Sequence, residues 1–339
     1  YPSIRHGVKW IVRTRNESKK ESRKKRQRVP HHGLLPAGFS AEHFGPNDHY
    51  FWDNFWCLAG IREALWTARF LKIDNDVRYY EKEFSEYHAD LTQAMNLALE
   101  KSRSNILPSS PYRKPDSACI GNMAAASPLG IIPLDAPWLE ATANYLYEKN
   151  LRHGLFFQKI IHTGLNPYLS VQLARVLLQK EDPRFYAILE RLTALATTTG
   201  TWPEAIHPKL TGGCMGDGDH GWSAAEFINL IREMFVAENG TEILLGQGIP
   251  QQWMESGKPI WIDLAPTLWG MVSYRLSPKT PVKWEMRWLF RPHTNRDFGG
   301  DRASLVLSLP PMKKGGPRQR IPLAEHEGHL DLNWVKGDG

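Results

Sequence analysis

The 339-residue chain is poor in cysteine, with three in all. Cys57, Cys119 and Cys214 are far apart, odd in number and in no CxxC spacing, which argues against a disulfide framework and a zinc cluster. No apolar run reaches the roughly 18 residues of a membrane span, and no signal-peptide pattern opens the chain. A cytoplasmic protein with no membrane partner is the expectation. No phosphate loop, dinucleotide fingerprint or nucleophile elbow is present, so no cofactor is expected. Positive charge is not spread evenly. The formal net charge is +6, and "KKESRKKRQR", Lys19 to Arg28, holds seven basic residues and one glutamate. No aromatic residue interleaves with this run, so bases have nothing to stack on. It reads as a solvated helix end, and no nucleic-acid partner is expected.

What the chain does have is ordinary core material, 42% hydrophobic and 23% charged, and an excess of tryptophan, 13 in all. Excess Trp serves either a large core or a pocket for flat, partly apolar ligands such as sugar rings. The first two-thirds carry helical patterns at about 4–25, 50–71, 75–102, 117–126, 136–150, 166–180, 183–198 and 221–236. Beyond about 240 the period changes. "PVKWEMRWLF" alternates strictly, and "EILLG", "KPIWIDLAP", "GMVSYRLS" and "SLVLSLP" read as further strands divided by Pro and Gly. The fold class is therefore mainly α. An α/α-toroid domain is expected over 1–237, an antiparallel β-sandwich-like domain over 241–325 and a polar, loose tail over 326–339. Helices joined by long, chemically rich loops suggest a ring of helical hairpins whose loops meet over the axis. Six hairpins take twelve helices and about eight are legible here. With Tyr1 in place of a starting Met, a chain incomplete at its N-terminus is expected.

Four loops are too polar and too aromatic to be plain connections. "FGPNDHYFWDNFW" mixes Asp48 and Asp53 with Tyr50, Trp52 and Trp56. On a helix Trp52 and Trp56 share a face, as do Asp53 and Trp56. Asp48 reads either as a helix cap or as a ligand group. Asp53 lies inside the first helical turns among apolar residues, so it is either buried with partners or faces a ligand. "SSPYRKPDSACIGNM" sets Asp116 to cap a short helix or to face the axis, with Arg113 close enough to bind a carboxylate or a sugar hydroxyl. "IIHTGLNPYLSVQLAR" opens a helix with His162, Asn166 and Tyr168. The last loop runs from "GTWPEAIHP", with Trp202, Glu204 and His207, to "GGCMGDGDHGWSAAE", with Asp217, His220 and Trp222. Its Asp/Gly content lacks the calcium-loop Glu, and His207 with His220 fits no standard metal spacing, so no metal is expected. Carboxylates on separate loops among aromatic platforms and hydroxyl-reading His, Asn and Arg match glycoside hydrolysis. One carboxylic acid protonates the leaving oxygen while a second carboxylate activates water or attacks the anomeric carbon.

At these residues the sequence resembles the six-hairpin (α/α)6 glycosidases, in particular the amylo-α-1,6-glucosidase or glycogen-debranching-like branch. The stretches that carry the resemblance are "GFSAEHFGPNDHYFWDNFW", "PSSPYRKPDSACIGNMAAASPLG", "HTGLNPYLSVQLAR", "TWPEAIHP" and "GDGDHGWSAAEFINLIR". "GIPQQWMESGKPIWIDLAPTLWG" adds a tail of the same kind, and the whole spans about residues 30–275. The resemblance implies inverting hydrolysis of an α-glucosidic bond in an oligosaccharide. It places the general base on Glu204 and sugar binding on Trp52 and Asp53. The general acid falls on Asp116, with Asp53 and Asp48 as rivals. Asp48, Tyr50, Trp56, Arg113, His162, Asn166, Trp202, His207, Asp217, His220 and Trp222 complete the expected substrate site. Two alternatives stay open. One is a phosphorylase, which needs a basic pocket where Glu204 sits. The other is a carbohydrate-binding or structural protein without catalysis. Oligomeric state is not legible.

Overall fold

A computed structural model of the chain describes residues 1–40, 45–160, 163–293, 303–310 and 318–333. The chain divides into two compact units. The first comprises Tyr1–Leu177 and Arg184–Glu226, and the second Leu178–Pro183 and Phe227–Gly339.

The first unit is helical. α1 (Pro2–Lys25) starts on a proline, whose missing N–H costs nothing in a first turn. It ends on a basic last turn that complements the helix dipole. α2 (Phe51–Phe70) buries residues on nearly every side, from Phe51 and Phe55 to Ile61, Ala64 and Ala68, as the all-round apolar sequence dictates. It packs along α3 (Asp74–Ser102). A 3-10 helix (Ser117–Ala125), α4 (Pro137–Asn150), α5 (Pro167–Gln179) and α6 (Arg184–Ala194) follow, and then α7 (Gly221–Phe235), which belongs to this unit as far as Glu226. The helical stretches therefore fall where the sequence pattern puts them.

A small sheet in this unit is not legible in the sequence. Its strands, β1 (Leu151–Arg152), β2 (Leu155–Gln158), β3 (Gly164–Leu165), β4 (Ala205–Ile206) and β5 (Gly213–Met215), lie in that order and pair antiparallel. Strands of two to four residues are too short to display a period. They set Glu204 at the entrance to β4 and His207 at its exit.

The second unit is two four-stranded sheets over one core. One has the order β13-β10-β9-β8, built from β8 (Ile260–Pro266), β9 (Gly270–Thr280), β10 (Lys283–Pro292) and β13 (Glu327–Asn333), all antiparallel. The other has the order β12-β11-β7-β6, built from β6 (Val236–Asn239), β7 (Glu242–Leu245), β11 (Ser304–Leu309) and β12 (Gln319–Leu323). Val272, Tyr274, Trp284, Met286 and Phe290 of the first sheet share a buried cluster with Val236, Ile243, Leu305 and Leu307 of the second. Two sequence expectations are corrected. β7 and β11 pair parallel, so the sandwich is not purely antiparallel. The tail expected to be loose from residue 326 carries β13, which pairs with β10 through Leu330↔Met286 and Leu332↔Trp284. Only two large apolar residues in "EGHLDLN" alternate with charge, and that weak signal hides an edge strand.

Before α2 the chain is pinned by a polar stack. His31 and His49 lie ring on ring at 3.8 Å. His31 bonds Tyr112 Oη at 2.6 Å and Glu21 at 3.0 Å, and His49 Nδ1 bonds the Leu35 carbonyl at 2.7 Å. Burial lowers the His49 pKa, and the hydrogen bond to Leu35 only partly offsets this. Its folded value therefore lies below the ordinary value of about 6.5. Folding favours the neutral ring, so its contribution is complete above pH ~6.5 and is lost as pH falls through the lower folded value. His32 and His220 are lowered by burial in the same sense. The melting temperature is expected to drop between pH 7.5 and pH 5. A His49→Asn variant, followed by circular dichroism at both pH values, should show a smaller drop.

Candidate active site

The first unit holds a cavity of about 690 Å³. It is lined from α1 by Trp10 and Thr14, from the following loop by Leu35, Pro36, Gly38 and Phe39, and from α2 by Trp52, Asp53, Trp56 and Cys57. α5 contributes Tyr168, and α7 contributes Trp222, Ala225 and Glu226. Trp10, Phe39, Trp56 and Trp222 keep between 41% and 65% of their surface exposed, although large aromatics ordinarily bury most of theirs. Their convergence on one cavity provides flat apolar faces to a ligand, and Asp53 and Glu226 supply carboxylates beside them.

One polar group adjoins this cavity through Asp53. Burial raises the Tyr50 phenol; Asp48, Asp116 and Asp53 push it the same way, and Arg113 opposes them. Three aspartates and an arginine, distant in sequence, thus act on one hydroxyl. Tyr50 donates to the Pro46 carbonyl at 2.7 Å, and Arg113 Nη1 reaches Tyr50 Oη at 3.5 Å. Asp48 does not cap α2. That cap is Tyr50, without a side-chain bond. Asp48 instead accepts from the His49 N–H and from Ser110 Oγ, both at 2.7 Å, and tethers two loops. Asp116 does cap: its Oδ1 accepts from the Ala118 N–H at 2.9 Å, and its Oδ2 accepts from Arg113 Nη2 at 2.5 Å.

A second group adjoins the cavity through Tyr168 and Trp222. His220 lies 6.4 Å from the Tyr168 ring and 5.7 Å from that of Trp222, and Tyr168 and Trp222 are 5.7 Å apart. The His220 imidazole is lowered by burial, and the nearby carboxylates of Glu204 and Asp217 partly counter this. Glu204 itself is half-buried and does not line the cavity. It packs on Gly216, whose φ is +69°; a Cβ there would stand 3.1 Å from the Glu204 Cβ. Glycine thus suits both the left-handed backbone and the close approach at that point.

Several expected ligand groups make structural hydrogen bonds. Trp202 is only 2% exposed and is no platform. Its indole N–H donates to the Leu192 carbonyl, and its carbonyl accepts from the His220 N–H, so it holds the loop that bears Glu204. Asn166 is buried and accepts from the Leu169 N–H in the first turn of α5, which fixes Tyr168. His207 Nδ1 accepts from the N–H groups of Lys209 and Leu210 and closes a turn. Asp217 accepts from the Asp219 N–H. His162 lies outside the described residues. Among the described residues no group of three or more His, Cys, Asp or Glu is placed to hold a metal ion.

Of the expected residues, Trp52, Asp53, Trp56 and Trp222 line the cavity, together with Tyr168. Trp10, Phe39 and Glu226 are cavity residues that the sequence reading missed. Trp10 sits on a helix read for its charge, and Glu226 looked like any solvent-facing helical acid. Cys57 also lines the cavity, and burial with the Asp53 charge pushes its thiol up to about 11, so it is not a reactive thiolate at neutral pH.

No family model and no curated protein match this chain. Among solved structures it is similar to a glycosidase variant, at TM-score 0.47 and 14% identity over 59% of this chain and 55% of that one. A glycosidase variant in complex with glucose gives the same values. It is also similar to an alpha-L-rhamnosidase from Dictyoglumus thermophilum, at TM-score 0.49 and 13% identity over 82% of this chain and 31% of that one. The chain spans about half the length of the glycosidases it matches.

Proposed function

We propose that this chain carries the sugar-binding and catalytic groups of a glycoside hydrolase that inverts α-linked gluco-oligosaccharides, with its helices forming part of an (α/α)6 toroid. The observation that carries the reading is the aromatic cavity adjoined by two carboxylate-bearing groups. Asp116 and Asp48 belong to the group joined through Asp53, and Glu204 to the group joined through Tyr168 and Trp222. In this reading Glu204 is the general base that deprotonates water, and Asp116 is the general acid that protonates the leaving oxygen. To act, Asp116 leaves Arg113 and takes a proton from solvent, which it then gives to the glycosidic oxygen as that bond breaks, and Arg113 reads a sugar hydroxyl. Trp56 and Trp222 stack on sugar rings, Trp52, only 5% exposed, backs Trp56 at 5.7 Å and borders the cavity, and Asp53 accepts from hydroxyls. A phosphorylase has less support, since among the described residues no Lys or Arg lines the cavity.

The test is turnover of maltose and isomaltose, with and without phosphate, with the anomer of the first product read by NMR. Hydrolysis independent of phosphate with inverted product supports the reading; absence of turnover, or strict dependence on phosphate, removes it. Leaving-group chemistry separates the two aspartates. Asp116→Asn should lose activity on the disaccharides yet keep it on α-glucosyl fluoride, whose leaving group needs no proton. Asp53→Asn should weaken both through binding. Equal loss on both substrates for Asp116→Asn would take the acid role from it.

A further inference from the structure

The sequence and the proposed reaction leave Glu226 unused, yet among the described residues it is one of two carboxylates on the cavity wall. It lies in the second turn of α7. One oxygen, Oε2, is taken by the guanidinium of Arg175 from α5. Arg175 is only 6% exposed, whereas the Glu226 side chain keeps 20%. A buried cation ordinarily needs a partner, and a carboxylate held by one is fixed in rotamer as well as in charge. Oε1 of Glu226 makes no hydrogen bond among the described residues. A carboxylate only accepts, so the ligand it suits is a donor.

We propose that Glu226 is a hydroxyl-anchoring residue of the sugar cavity and that Arg175 is its positioning residue. This rests on the reading that the cavity takes a sugar. Asp53 on α2 and Glu226 on α7 then hold a ring from two walls, each accepting from hydroxyls, while the exposed indoles of Trp56 and Trp222 cover its faces. With two acceptors, and no Lys or Arg among the described residues that line the cavity, this pair of walls favours neutral sugars over phosphorylated or carboxylated ones. The hydroxyl bond to an ionised acceptor is stronger than one to a neutral amide, so a Gln in its place loses affinity although it keeps the shape.

The test uses tryptophan fluorescence and steady-state hydrolysis with maltose and isomaltose on wild type, Glu226→Gln, Arg175→Met and Arg175→Lys. Glu226→Gln is expected to raise Kd and KM by about 10-fold or more, with kcat within about 3-fold. Arg175→Met should do the same, and Arg175→Lys should recover part of the loss. A merely structural pair would lower the melting temperature without splitting KM from kcat. If wild type neither binds nor turns over either sugar, the sugar-cavity reading fails and this proposal with it. If wild type binds and Glu226→Gln binds equally well, the proposal alone is overturned. Should Arg175→Met fail to fold, the Gln variant and the Lys variant still decide.

Discussion

Glu204→Gln is expected to lower kcat on α-linked glucosides by about 10²–10⁴-fold, the usual contribution of a general base. The amide has the shape of the carboxylate but cannot take a proton from water. The fold should barely notice. Glu204 is half-buried beside Gly216, and a near-isosteric change at such a place ordinarily stays within about 1 kcal/mol. A second readout does not depend on turnover. The charge of Glu204 is one of two that raise the His220 imidazole against the lowering effect of burial. Removing it should move the His220 titration further down, measurable by NMR on the free protein. Retained kcat with an unchanged His220 titration would take Glu204 out of the site. A lowered kcat with the titration shift and an unchanged melting temperature would leave only the chemical step to explain the loss.

The parts of this molecule that were legible in the sequence are those where one physical signal stands alone. α2 is apolar all round and long, so its existence and burial could be read directly; β10 alternates without a break. Where two signals compete, the reading failed. Trp202 sits among Glu204, His207 and glycines, which looks like a pocket, but the indole belongs to the core and fixes the loop from beneath. Asn166 has ligand chemistry and spends it on the start of α5. Both hold neighbouring backbone through hydrogen bonds, and a sequence does not distinguish a residue that could touch a ligand from one that holds its neighbour. Glu226 and Arg175 fail in the opposite way. Each looks ordinary on its own helix, and only the meeting of α5 with α7 gives the pair its meaning. The five-stranded sheet is joined at its middle by a pairing between residues about forty positions apart, Leu165 with Ile206. No local pattern announces that contact.

Asp90→Ala should cost about 3–5 kcal/mol of stability, the range for breaking a buried ion pair from one side. Asp90 on α3 accepts from Arg15 at 3.0 Å and from Arg28 at 2.8 Å, and Lys19 stands at 3.2 Å. Arg15 is 1% exposed. Its other contacts are the Gly33 carbonyl, at 2.7 Å, the face of Tyr87, at 3.7 Å, and the Glu83 carboxylate, at 3.9 Å. At that distance Glu83 makes no hydrogen bond, so the variant leaves a buried guanidinium without its close carboxylate partner. The effect reaches the cavity wall, since Tyr87 donates to Asn54 Oδ1 at 2.8 Å and the same oxygen accepts from the Leu35 N–H. Gly33 offers an independent check. Its φ is +74°, and a Cβ there would stand 2.1 Å from Asp90 Oδ2. Gly33→Ala therefore adds left-handed strain and displaces the same carboxylate. Once Asp90 has become alanine, the Oδ2 clash no longer exists. The double variant should be less destabilised than the sum of the two single ones by about 0.5–3 kcal/mol, the coupling expected for residues in direct contact. Urea denaturation of the four proteins measures the cycle, and strict additivity would mean that Gly33 and Asp90 act through separate parts of the fold.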